Sequence, residues 1–211
     1  MNLLAQKVYE ANEGRYITAE NPLRSHGPDH HLRVYHYALE LARKMNLVYD
    51  ADILAGAALL HDMAAYYPEK SGEAYHDFDH KIAAEILAEI DFPESKTEAV
   101  LYAIAHHGSD AKYKDIAEPV EVALLRDADK LDVFGPIGVA RIIMVRTLKG
   151  DTLDEIVADF YTHGHLERKW QSITYDEARE ISKADYGYSQ HFFAELTSKL
   201  QSSRSSKAYS R

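Results

Sequence analysis

The sequence predicts an all-α fold, a single-domain helical bundle spanning residues 1–211, and three observations predict it. Apolar residues recur at helical spacing, as at Leu32, Tyr35, Leu39 and Ala42. Only six prolines and ten glycines interrupt the 211 residues. No pair of strand-like runs, internal repeat or second-domain linker stands out.

The elements follow in order. Residues 2–13 read as a short amphipathic helix carrying Leu3, Leu4 and Val8. A polar loop, Asn21 to Pro28, ends on a proline suited to the first turn of the next helix, 28–46. Asp50 or a neighbour starts a helix over 50–64, and Tyr66-Tyr67-Pro68 stops it. Further helices are expected over 77–90, 94–107, 120–131, 137–148, 152–163 (capped by Asp151) and 174–200. The Ser-rich, basic end, 201–211, reads as a frayed tail.

Composition narrows the function. An apolar fraction of 46% with 27% charged residues belongs to a folded globular chain long enough to bury a real core. The absence of cysteine excludes disulfides, thiolate metal sites and cysteine nucleophiles, and it fits a cytoplasmic location. The N-terminus lacks the basic and apolar segments of a signal peptide. No run approaches the roughly 18 apolar residues of a membrane span. A net charge of −10 disfavours nucleic acid or an anionic membrane as the main partner. Twelve histidines, several inside helix-period stretches, are the feature to pursue.

The most informative stretch is Ala55 to Asp62, an apolar helical run that ends in His61-Asp62. Buried apolar helices seldom end on two side chains so costly to desolvate. A satisfied core histidine beside a helix-terminal aspartate is one explanation. A shared metal ion is the other, since imidazole and carboxylate together suit Fe, Mn, Ni, Co or Zn, with Mg also admissible. The neighbouring helices bear on the choice. Each offers metal-competent side chains near an end: Asp29-His30-His31, then His61-Asp62, His80, His106-His107, and Asp127 with Asp129. Singly, each has a plainer reading: His31 and His36 as surface or supporting residues, His80 as a solvated helix residue, Asp127 as a cap. Chance would not place such residues once per consecutive helix.

Three segments resemble the HD superfamily of metal-dependent phosphohydrolases, whose pattern is H…HD…D on a helical bundle. Ser25-His-Gly-Pro-Asp-His30-His-Leu-Arg33-Val34 is similar to the family's H-x-x-R-V helix start, and Leu59-Leu60-His61-Asp62 to its HD motif. Leu125-Arg-Asp-Ala-Asp129-Lys130-Leu131-Asp132 resembles its D-x-D-K-L-D ending. The resemblance covers about 22–145 as a metal-binding core, leaving 146–200 as additional helices. It implies His30, His61, Asp62 and Asp129 as ligands, with Asp127 beside them. His80, His106 and His107 resemble the extra histidines of two-metal subfamilies such as the HD-GYP phosphodiesterases and the diadenosine-tetraphosphate hydrolases. Gly108-Ser-Asp follows the histidine pair where those phosphodiesterases carry G-Y-P, so a cyclic dinucleotide has little support.

The implied reaction is hydrolysis of a phosphate ester or anhydride of a small molecule, with a nucleotide the leading candidate. One or two divalent ions would hold the phosphate and lower the pKa of water to near neutrality, so no protein nucleophile is required. Asp62 heads the catalytic set. Lys130 is a candidate to neutralise a phosphate oxygen, a solvated lysine being the alternative. Arg33 reads as a brace through Asp62 or Asp127 within that set. Arg24 and His26 would line the pocket mouth, and Tyr66, Tyr67 and Tyr75 offer faces for a nucleobase. A homodimer is compatible with this picture. Two other classes compete: an HD-type di-iron oxygenase, of which myo-inositol oxygenase is an example, and a non-catalytic metal-binding helical module.

Overall fold

The computed structural model describes residues 1–67, 75–108 and 118–208, apart from the side chains of 75–77 and 204–208. The described chain is helical, without a β-strand among these residues. It divides into two compact units, Met1–Asp129 and Lys130–Arg211.

The first unit holds α1 (Leu3–Thr18), α2 (Pro28–Lys44), α3 (Ala51–Leu60), α4 (Tyr75–Glu89), α5 (Glu94–His106) and most of α6 (Val120–Leu131). Short 3₁₀ turns lie at Arg24–His26 and Met63–Tyr66. Helix α3 is its centre. Every residue from Leu54 to Leu60 is buried, and the helix packs against α1, α2 and α5. A helix apolar on all sides is stable only when surrounded, which explains why this run shows no polar face. Gly56 lets α5 close on it, because a Cβ there would lie 2.9 Å from Val100 Cγ2. Asp50 caps the start, accepting from the backbone N–H groups of Asp52 and Ile53, and Lys96 pairs with both Asp50 and Asp52.

Two helices turn a different face inward than the sequence suggests. In α1 the buried positions are Ala5, Val8 and Asn12, while Leu3 is 78% exposed. In α2 they are His30, His31, Val34, Tyr35, Ala38, Leu41 and Ala42, with Leu32 and Leu39 only half-buried. Histidines thus occupy core positions that a hydrophobicity pattern leaves blank.

The second unit comprises the end of α6, α7 (Gly135–Leu148), α8 (Leu153–Val157) running into a π-helical turn (Ala158–Thr162), α9 (His165–Gln171) and α10 (Asp176–Ala208). Helix α7 packs on α10, and Trp170 stacks on Tyr186 with Phe134 edge-on to both rings. Gly135 has φ 75° and donates its N–H to Ser189 Oγ at 2.9 Å; a Cβ there would fall 2.6 Å from Asp185 Oδ1. The N-cap of α8 is Thr152 rather than Asp151, because a capping box with Glu155 satisfies both ends of that turn. Periodicity does not predict helix α9, and α10 continues through Ala208, past the predicted end near Leu200. No described helix is long and apolar enough to cross a membrane.

Candidate metal centre

Helix α3 stops at Leu60, so His61 and Asp62 do not lie on it as the sequence suggests. His61 is extended (φ −67°, ψ 155°) and Asp62 is left-handed (φ 57°, ψ 23°). That conformation costs an L-residue about 1–2 kcal/mol, with aspartate among the residues that tolerate it best. The turn swings both side chains off the helix axis toward the same space. Strain of this kind persists where surrounding contacts hold it, and it concentrates at functional sites.

Those contacts come from two sides. On one, Asp79 of α4 accepts from the backbone N–H of Asp62 (3.2 Å) and of Ala64 (3.0 Å). On the other, Asn12 of α1 donates to the Leu59 carbonyl and accepts from the Tyr66 hydroxyl, and His31 Nδ1 lies 3.1 Å from Asn12 Nδ2. Both Asp79 and Asn12 are buried. Neither residue is singled out by the sequence motifs, though a trace is present. Asp79 stands on the same stripe of α4 as Ile82, Ala83 and Ile86, and Asn12 shares a stripe with Ala5 and Val8. A polar residue on an apolar stripe marks a specific buried partner.

At the turn, one ligand atom each from His30, His61, Asp62 and Asp129 lie within 4.8 Å of one another. His30 Nε2 and His61 Nε2 are 3.2 Å apart, and Asp129 Oδ1 lies 3.5 Å from the first and 3.7 Å from the second. His61 Nδ1 is 2.9 Å from the Ala58 carbonyl, which can only accept, so Nδ1 carries a proton and Nε2 faces the cluster. Two imidazole nitrogens facing one another this closely need a cation or a proton between them. Burial pulls the His61 imidazolium down, but the carboxylates of Asp129 and Asp62 outweigh it and push its pKa up to about 9. Burial, reinforced by the nearby Asp62 carboxylate, raises Asp79 to about 7. The donor set fits a divalent ion: two buried imidazoles, that of His61 anchored from behind, converge with two carboxylates. The imidazoles are fully buried, whereas the Asp62 and Asp129 side chains are 21% and 28% exposed, so the cluster opens on its carboxylate side.

The remaining predicted residues fall at different distances from this cluster. His107 is buried, with Nδ1 on the Ile104 carbonyl and Nε2 3.9 Å from Asp62 Oδ1. Burial lowers its pKa, which keeps the imidazole neutral. His26 packs edge-on to His30, ring centroids 5.3 Å apart, and its Nδ1 lies 2.9 Å from Ser25 Oγ. Arg24 is exposed and donates to the Tyr16 hydroxyl at 3.1 Å. Arg33 pairs with Asp29 at 2.7 Å, a carboxylate the sequence did not suggest for it. Asp127 is fully buried. His31 proves to be core rather than surface, its ring 4.8 Å from that of His61.

His80 and His106 lie outside the four-residue cluster. His80 is exposed, and His106 stacks on Tyr102 with Nδ1 on the Tyr102 carbonyl; both line a shallow groove with Glu94, Glu98 and Leu101. Lys130 is not the solvated lysine of the plainer reading: it is 4% exposed and its Nζ donates to the Ser172 carbonyl within the second unit. Tyr66 is buried in the Asn12 network and so presents no open face, and the Tyr75 side chain lies outside the described residues.

Residues 29–133 match the family model of the HD domain, and the match contains all four clustered residues. The chain belongs to the HD superfamily. Solved structures of this HD protein's fold include Bacillus subtilis YpgQ in complex with ADP, at a TM-score of 0.68 and 22% identity, covering 93% of this chain and 97% of that one. A Lactobacillus plantarum protein aligns at a TM-score of 0.70 and 16% identity, covering 96% and 99%. An HD-superfamily hydrolase of Bacillus thuringiensis aligns at 0.61 and 23% identity, covering 92% and 98%. A search of curated protein sequences found no match.

Proposed function

We propose that this HD protein is a phosphohydrolase that cleaves a phosphate ester or anhydride of a small molecule, a nucleotide being the best-supported substrate class. The observation that carries the reading is the convergence of His30, His61, Asp62 and Asp129 on one point that opens on its carboxylate side. These four residues would hold one divalent ion, which when bound supplies a Lewis acid for phosphoryl oxygens and a water of lowered pKa.

The protein's own part is positioning. The Ala58 carbonyl fixes the His61 tautomer, and the left-handed turn at Asp62 aims a carboxylate beside the imidazoles. His107, neutral and 3.9 Å from Asp62, is the residue placed to hold or pass a proton at its Nε2. His26, packed against His30, and Arg24 in the same 3₁₀ turn would meet the anionic end of the substrate. The ADP complex of the structurally similar YpgQ supports a nucleotide.

One ion per chain is the reading favoured here, because His80 and His106 stand outside the four-residue cluster. The test is metal-dependent phosphate release from a panel of nucleoside mono-, di- and triphosphates and a generic phosphodiester, with Asp62→Ala as control. Release by the wild type that vanishes in the variant supports the reading, and undiminished release by the variant refutes it. Bound iron with O₂ consumption and no phosphate release would move the protein to the oxygenase class.

A further inference from the structure

The left-handed turn at Asp62 places a required side chain in a conformation that aspartate does not prefer, and the fold supplies a specific restraint for it. Asp79 sits on the buried stripe of α4, 1% exposed, with Ile82, Ala83 and Ile86 continuing that stripe into the core. Its two carboxylate oxygens are divided between two backbone donors. Oδ2 accepts from the Asp62 N–H at 3.2 Å and Oδ1 from the Ala64 N–H at 3.0 Å. The donors flank Met63, where the chain passes from the left-handed residue into the 3₁₀ turn.

We propose that Asp79 is a positioning residue for the metal centre, a two-pronged clamp that holds the His61–Asp62 turn in the geometry that binds the ion. The proposal rests on the metal-centre reading above. Other buried polar groups near the turn act differently: Asn12 and Tyr66 hold the Leu59 carbonyl and the end of the 3₁₀ turn, not the amide of Asp62 itself. A carboxylate suits the task because in its ionised form both of its oxygens only accept. An asparagine of the same shape keeps one acceptor and turns an N–H₂ group toward the second donor, so Asp79→Asn opens one prong while conserving volume.

The experiment uses the full chain stripped of metal and titrated with Co²⁺, whose visible absorption bands report ligand geometry. Wild type, Asp79→Asn and Leu54→Ala are compared for Co²⁺ Kd, band positions and metal-free Tm. Leu54 is buried in α3 about two helical turns before His61 and is outside the four-residue cluster, so its variant controls for general loss of stability. The expected result for Asp79→Asn is a Kd weakened about 10–100-fold with shifted bands, the size of effect typical of residues that orient ligands. Leu54→Ala should lose Tm yet keep Kd and bands within about twofold of wild type. Wild-type Kd and bands in Asp79→Asn would overturn the clamp. Should Asp79→Asn fail to fold, hydrogen exchange of the Asp62 and Ala64 amides in the wild type decides. Protection of both supports the clamp, and exchange at unprotected rates overturns it. A wild type that takes up no Co²⁺ but protects both amides would sink the metal reading while leaving the backbone contact in place.

Discussion

Two sets of histidines in the first unit look alike in sequence and differ in burial and in their place relative to the carboxylate cluster. His30 and His61 are fully buried, and His61 is tethered through Nδ1 to a carbonyl so that its other nitrogen faces a carboxylate. His80 is exposed and His106 half-buried, in a groove whose other acidic members, Glu94 and Glu98, are themselves exposed. The contrast teaches that a tethered far side is not enough: His106 also has Nδ1 on a carbonyl, but His61 is fully buried and turns its other nitrogen onto the carboxylate of Asp129. A ring fixed in orientation has little freedom left to lose when it binds an ion, whereas a solvated one must surrender its rotamers and its water.

The largest expected effect sharpens that contrast on the buried side. Asp62→Ala or His61→Ala should abolish stoichiometric metal uptake, weakening it by more than the roughly 100-fold upper range of a supporting residue. Phosphate release should disappear with it. Equilibrium dialysis followed by elemental analysis measures the first, and a phosphate assay the second.

A pH titration comes next. In the metal-free protein the His61 pKa is raised from 6.5 to about 9. The group therefore contributes stability that is fully present below about pH 6.5 and lost as the pH rises through about 9. Metal-free Tm should fall across that window, and His61→Ala should flatten this part of the profile. Metal binding has the opposite sign, since the ion needs the unprotonated imidazole. The Tm gain from added metal should grow over the same range, and a gain independent of pH would show that His61 is not a ligand.

Lys130 offers a test in the second unit. Its ammonium donates to the Ser172 carbonyl while almost fully buried, so Lys130→Met should cost about 1.5–3 kcal/mol of stability, readable by denaturant unfolding. An unchanged midpoint would mean that the contact contributes nothing.

The smallest effect is expected on the exposed side of the comparison. His80→Ala should shift stability by less than about 0.5 kcal/mol. Metal affinity should stay within about twofold in both His80→Ala and His106→Ala. A tenfold loss in either would break the comparison and restore a two-ion site.

Much of the fold was legible in the sequence because its boundaries are written in local chemistry. Pro28 opens α2, Pro93 precedes α5, and Glu118-Pro119 precedes α6. The H…HD…D residues were legible as candidates as well, since metal-competent side chains recur near the ends of consecutive helices. The turn that orients them was not. A left-handed aspartate leaves no periodic signature, and the apolar run predicts a helix that continues through His61 and Asp62. Asp79 was hidden beside His80, whose residue type drew attention, although only Asp79 falls on the apolar stripe. Helix α9 escaped because seven residues are too few for a period to show. Local rules read elements well; they do not read which polar group a distant helix will meet.

The central claim is that four converging side chains hold one ion. The most direct measurement is the metal content of wild type and Asp62→Ala after dialysis against excess Mn²⁺ or Co²⁺ and removal of the unbound ion. One ion per wild-type chain and none in the variant is the predicted result. Two ions per chain, or equal metal in both proteins, would contradict it.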